Sequence, residues 1–155
     1  MEADAFQGRM GLVYTASRRR LIRIYNVDHE VLKAFKGSGI EIIIGLGNKF
    51  LRDISKTQDR ATDWVKNNIE PFVPGNHIHG IAVENEVLGG GDQELWEVLL
   101  LAVKNTHIAL DLLHLDNDFE VSSPHYDGVF ASSFPPSARA FKETLVRSFI
   151  NKIVQ

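Results

Sequence analysis

The chain has 155 residues, 44% of them hydrophobic and 24% charged, the proportions of one ordinary globular domain. Its formal net charge of -3 works against a nucleic-acid surface, which needs a concentrated excess of Lys and Arg. There is no cysteine, so disulfide frameworks and thiolate metal sites are excluded. The one basic run, Arg18-Arg19-Arg20, reads as a solvated strand edge. The opening "MEADAFQGRMGLVYTASRRR" carries acids early and no long apolar core, which is not the pattern of a secretory signal peptide. No stretch approaches the ~20 apolar residues of a membrane span. These features predict a soluble, untargeted chain.

Taken in order, "GLVYTA" (11–16) is a weak candidate for a first strand, because no helix separates it from Leu21. "LIRIYN" (21–26) is rich in β-branched and aromatic residues. Asp28 can cap a helix with Val31, Leu32 and Phe35 on one face, ended by Gly37 and Gly39. "IEIIIGL" (40–46) is a near-continuous apolar run, the mark of a strand covered on both faces. Ala61, Trp64, Val65 and Ile69 then recur at helix spacing until Pro71 and Pro74 stop them. "IHGIAV" (78–83) is the next strand, followed by a helix over 92–113 with Leu95, Leu99, Ala102, Val103 and Leu110 inward. "FEVSS" (119–123) is a further strand. After the turn "SFPPSA", a last helix should hold Phe141, Leu145, Val146, Phe149 and Ile153 on one face.

Strand then helix, repeated, predicts an α/β fold with a parallel sheet. Two architectures fit the periodicity. A doubly wound, flavodoxin-like sheet of five strands closes in this length and is the choice on periodicity alone. A (β/α)8 TIM barrel typically needs ~250 residues, so this chain can supply only part of one. Both put ligands at the carboxyl ends of the strands. Tyr25-Asn26, Gly47-Asn48, Asn85-Glu86 and Ser123-Pro124-His125 fall there.

The stretch "GIAVENEVLGGG" (80–91) drives an apolar strand into acids. Glu86 is the best candidate for chemistry, since a partly buried carboxyl at a strand exit can be tuned to donate a proton. Asn85 beside it can hydrogen-bond a sugar hydroxyl. Alternation puts Glu84 on the same face as Glu86, ~7 Å away by strand rise. Two acids on one strand cannot flank a scissile bond as glycosidase carboxylates must, yet Glu84 could raise the pKa of Glu86 by repulsion. The glycines at 89–91 lack the Lys-Ser/Thr of a phosphate loop and read as a plain loop. His77 and His79 could share a metal only with a third ligand. Ser122 and Ser123 lack a nucleophile-elbow pattern and read as a strand end.

The blocks "RIYNVDHEVLKAFKGSGIEIIIGLGN", "WVKNNIEPFVPGNHIHGIAVENEV", "KNTHIAL" and "FEVSSPHYDGVFASSFPPSARAF" resemble, in order, blocks of the plant family-17 glycoside hydrolases, the endo-1,3-β-glucanases. The resemblance runs from about Leu21 to Phe141. It implies a (β/α)8 barrel, of which this chain supplies roughly the first five strands as a single partial catalytic domain, residues 1–155. It implies retaining hydrolysis of β-1,3-glucan, no metal or cofactor, and secretion to the cell wall. The family's acid/base is the Glu of an Asn-Glu pair after the fourth strand, which maps onto Glu86, with Asn85 as its neighbour. Tyr14 and Asn48 correspond to strand-end positions facing the same cleft.

Three departures qualify the resemblance. Glu84 stands where the family usually has Gly. The segment between Tyr14 and Leu21 is too short for the first barrel helix. The family's nucleophilic Glu, on the seventh strand, has no counterpart in these 155 residues, so the chain alone is expected to be inactive, with open sheet edges available for self-association. A non-catalytic glucan-binding protein and an unrelated small-ligand module are the rival readings.

Overall fold

The computed structural model describes residues 10–14, 20–115 and 119–147. Its main sheet has five strands: β1 (Met10–Tyr14), β2 (Arg20–Ile24), β3 (Glu41–Leu46), β4 (His77–Val83) and β5 (Glu120–Ser122). They lie side by side in the order β1-β2-β3-β4-β5. β2 to β5 are all parallel, whereas β1 runs antiparallel to β2. Between the parallel strands come α1 (His29–Ala34), then α2 (Leu51–Ile54) with α3 (Gln58–Asn68), then α4 (Gln93–Leu112). Beyond β5, a small antiparallel ribbon of β6 (Phe130–Ser132) and β7 (Ala140–Phe141) precedes α5 (Glu143–Leu145).

Each new parallel strand is added on the same side of the last. Right-handed crossovers repeated in one direction put every connecting helix on the same face of the sheet. That is the winding of a (β/α)8 barrel. A doubly wound sheet must reverse its direction of growth at a switch point, so the flavodoxin-like alternative is corrected. β1 follows from chain length. Only five residues separate Tyr14 from Arg20, and a parallel return needs a crossover of about a dozen or more. A hairpin is the connection open to it.

Local signals set the helices. The Asp28 side chain accepts from the backbone N–H groups of Glu30 and Val31, and Asp92 accepts from Leu95. Both are the capping arrangement that satisfies orphan donors at a helix start. Helix-facing strand residues Ile22, Ile24, Ile42, Ile44, Ile81 and Val83 form one core with Val31, Leu32, Val65, Leu99 and Leu110. The reading of β3 as covered on both faces is corrected: Ile43 is only half-buried, and beside it and the half-buried Leu21 the second face of the sheet carries Arg23, Gly45, Gly80 and Ala82. Two of these are glycines because backbone passes close by. A Cβ on Gly80 would lie 2.4 Å from the carbonyl oxygen of Glu120.

The place expected for Phe141, on the last helix, is corrected. Phe141 lies in β7, where it stacks on Phe130 at 5.1 Å. Of the expected stripe, Leu145 is buried in the short α5, while Phe149 and Ile153 lie outside the described residues.

Candidate active site at the carboxyl ends of the strands

β2 to β5 point their carboxyl ends the same way, so the residues that follow them converge. The ladder between β3 and β4 runs one residue past Val83, with Glu84 N–H donating to the Leu46 carbonyl at 3.0 Å. There the strand turns sharply, because Glu84 has φ 81° and Glu86 has φ 56°. Left-handed backbone at residues with a Cβ costs on the order of 1–2 kcal/mol each. Such a turn persists only where its surroundings hold it.

Asn48, just after β3, holds the first peptide. Its Oδ1 accepts from Asn85 N–H at 2.7 Å and its Nδ2 donates to the Asn85 carbonyl at 3.0 Å. The side-chain amide thereby imitates a neighbouring strand. Arg23, near the end of β2, reaches over β3: its Nη2 donates to the Glu84 carbonyl at 3.3 Å and to Asn85 Oδ1 at 3.2 Å. The guanidinium also lies 4.8 Å from the centre of the Tyr25 ring. With Oδ1 held by Arg23, the Asn85 amide presents its Nδ2 donors on the other side. Glu86 N–H donates to the Pro124 carbonyl at 3.2 Å, which ties the turn to the segment after β5.

The two acids go opposite ways. The Glu84 side chain is fully buried, at 0% exposure. Its Oε1 accepts from Ser123 Oγ at 3.1 Å and lies 3.1 Å from His125 Nδ1, and its Oε2 accepts from Val87 N–H. Glu86 is exposed and its carboxylate makes no hydrogen bond or ion pair among the described residues. The expectation of two acids on one strand face is therefore corrected, because alternation ends where the backbone turns left-handed. Burial, expected at Glu86, falls on Glu84.

Of the residues singled out from sequence, Asn48, Asn85 and Glu86 come together. Tyr14 does not join them. It pairs with Arg20, the first residue of β2, at the amino end of the parallel strands, while Glu86 follows the carboxyl end of β4. The hairpin reverses β1 and carries Tyr14 away by about the ~16 Å length of a five-residue strand. His77 and His79 sit in β4 toward that amino end as well. His79 Nε2 lies 3.5 Å from Glu120 Oε2, and no group of three or more metal-ligating side chains assembles among the described residues. Sequence reasoning missed Arg23. The available signal was one Arg inside the apolar strand "LIRIYN", on the face opposite Ile22 and Ile24.

Residues 10–155 match the sequence model described as glycosyl hydrolases family 17. The chain is 39% identical over 127 residues to glucan endo-1,3-beta-glucosidase 11 of Arabidopsis thaliana, covering 82% of this chain and 30% of that protein. It is 36% identical over 143 residues to the acidic isoform GL161 of Nicotiana tabacum glucan endo-1,3-beta-glucosidase, covering 92% of this chain and 43% of that one. Among solved structures, CJP38, a beta-1,3-glucanase and allergen of Cryptomeria japonica pollen, superposes with a TM-score of 0.78 at 41% identity, over 81% of this chain and 40% of that one. The chain thus spans roughly a third to two fifths of the length of these relatives. With four parallel strands wound in barrel order and a matched sequence model over nearly its whole length, the chain belongs to glycosyl hydrolase family 17.

Proposed function

We propose that the chain carries the acid/base half of a β-1,3-glucan hydrolase site, with Glu86 as the acid/base and Asn85 as the residue that binds a sugar hydroxyl beside the scissile bond. The observation that carries this reading is the held turn. Asn48 fixes the Asn85 peptide, Arg23 orients its amide, and Pro124 anchors Glu86, while the Glu86 side chain is exposed where the strands end and unpaired among the described residues. In this reading Glu86 protonates the glycosidic oxygen as the bond to the anomeric carbon breaks, and later takes a proton from the water that releases the sugar. A retaining reaction needs a second carboxylate, the nucleophile, about 5–5.5 Å from the first. Glu84 does not fit that role, because Val87, Ser123 and His125 take up its buried oxygens. In this reading the nucleophile is a carboxylate from another strand of the barrel.

The substrate would be β-1,3-glucan and the place of action the cell wall, where such polymers lie. Tyr14 is left out of this site, and Asn48 acts in it by holding Asn85. The test is a chimera that joins these residues to the C-terminal half of a homologous glucanase. It should hydrolyse laminarin, and Glu86→Gln should abolish that activity. Hydrolysis that survives Glu86→Gln would overturn the assignment. Binding of laminarin by the chimera with no turnover would favour a glucan-binding protein instead.

A further inference from the structure

We propose that Glu84 is a positioning residue for Glu86: a buried carboxylate strut that sets the backbone of the 84–87 turn and locks it to the segment after β5. This rests on the reading of Glu86 as the acid/base. A carboxylate withdrawn from water is costly unless donors surround it, and here three donors from two segments converge on one group. One oxygen takes the Val87 N–H, three residues ahead, and so closes a ring of chain around Asn85 and Glu86. The other takes Ser123 Oγ and His125 Nδ1. Those two residues flank Pro124, whose carbonyl receives the Glu86 N–H. The circuit is closed: Glu84 grips the chain on both sides of the atom that anchors Glu86.

The backbone argues the same way. Glu84 sits at φ 81°, a conformation glycine adopts freely and a glutamate adopts only at a cost. Glycine at this position would relieve the turn but leave Val87 N–H, Ser123 Oγ and His125 Nδ1 without their shared acceptor. The carboxylate is therefore the reason for tolerating the strain. For His125 to donate to Glu84 its imidazole must carry a proton on Nδ1, which gives the strut a spectroscopic signature.

The test is NMR on the 155-residue chain as wild type, Glu84→Ala and Glu84→Gln, reading amide exchange at Glu86 and Val87 against Ile44 in β3, and the His125 tautomer from its ring nitrogen shifts. Glu84→Ala should speed exchange at Glu86 and Val87 by roughly 10-fold or more relative to Ile44, and move the His125 proton off Nδ1. Glu84→Gln keeps the size with a single acceptor oxygen, so it should restore either Val87 protection or the His125 tautomer, but not both. Should Glu84→Ala fail to fold, the Gln variant alone decides. Leu99→Ala, a core truncation remote from the turn, should raise exchange at Ile44 as well and leave the tautomer unchanged. Wild-type exchange at both amides with an unchanged tautomer in Glu84→Gln would overturn the strut. These readouts need no catalysis, so they fail or succeed apart from the acid/base assignment, which the Glu86→Gln chimera tests separately.

Discussion

Around Glu86, the working parts are side chains that grip backbone. Asn48 spends its whole amide on the peptide of Asn85, and Arg23 contacts both the Glu84 carbonyl and Asn85 Oδ1. A net hydrogen bond is worth about 0.5–1.5 kcal/mol. Asn48→Ala should therefore lower stability by about 1–3 kcal/mol in urea titration, and Asn48→Asp, which sets a carboxylate oxygen against the Asn85 carbonyl, should lose at least as much. A near-neutral Asn48→Asp would mean that the paired amide is not what holds the turn. In the completed chimera, Glu86→Gln should slow glucans with poor leaving groups by ~10²–10⁴-fold, the usual worth of general acid catalysis. Activated aryl glucosides, whose leaving groups need little protonation, should suffer much less in the same assay.

α4 shows how one element divides its labour. Leu99, Ala102, Ala109 and Leu110 are buried, and buried Thr106 satisfies its hydroxyl on the Ala102 carbonyl at 2.8 Å. Leu101, Ile108 and Leu112 lie on another stripe, 51%, 44% and 57% exposed. Leu99→Ala should cost about 2–5 kcal/mol, the range for truncating a packed leucine. Leu101→Ala should stay within about 0.5 kcal/mol. Chemical unfolding of the pair would show a misplaced helix face if the two effects were similar. The β4 exit is the other informative element. Its alternation stops at Val83, and two left-handed residues then send one acid inward and the other out.

At the scale of the molecule, the sheet ends, among the described residues, at β5 on one side and at β1 on the other. Unpaired strand edges template association, and the exposed Leu101, Ile108 and Leu112 stripe on α4 adds apolar surface. The open face of the sheet contributes less than its apolar sequence promised, because glycine, alanine and Arg23 occupy much of it. We expect the 155-residue chain to self-associate in a concentration-dependent way, read by size-exclusion chromatography with light scattering. The double variant Leu101→Lys with Leu112→Lys should shift it toward monomer. A wild-type monomer at every concentration, with a sharp thermal transition, would remove this expectation. The same chain should release no reducing sugar from laminarin above background, since Glu84, the other acid of the turn, has its oxygens taken up by Val87, Ser123 and His125.

Local chemistry was legible in the sequence because it is written over a few residues. Asp28 announces its helix, apolar runs mark β2 to β5, and Asn85-Glu86 falls at a strand exit. The resemblance of the blocks around them supplied the family and the barrel. Periodicity alone did not, since a run of alternating strands and helices is the same whether the sheet winds one way or both. Strand order decided it, and strand order is a property of contacts between distant segments. The direction of β1 followed from the short span between Tyr14 and Arg20, but its consequence, the removal of Tyr14 from the site, appears only once the strands are paired. Arg23 reaches Asn85 across 62 positions of sequence, a distance no local pattern encodes. The fates of Glu84 and Glu86 were settled by two left-handed residues held in place by Asn48, Ser123, Pro124 and His125. Tertiary contacts overrode the alternation that a strand would have imposed, and so turned one acid into the interior and left the other facing solvent.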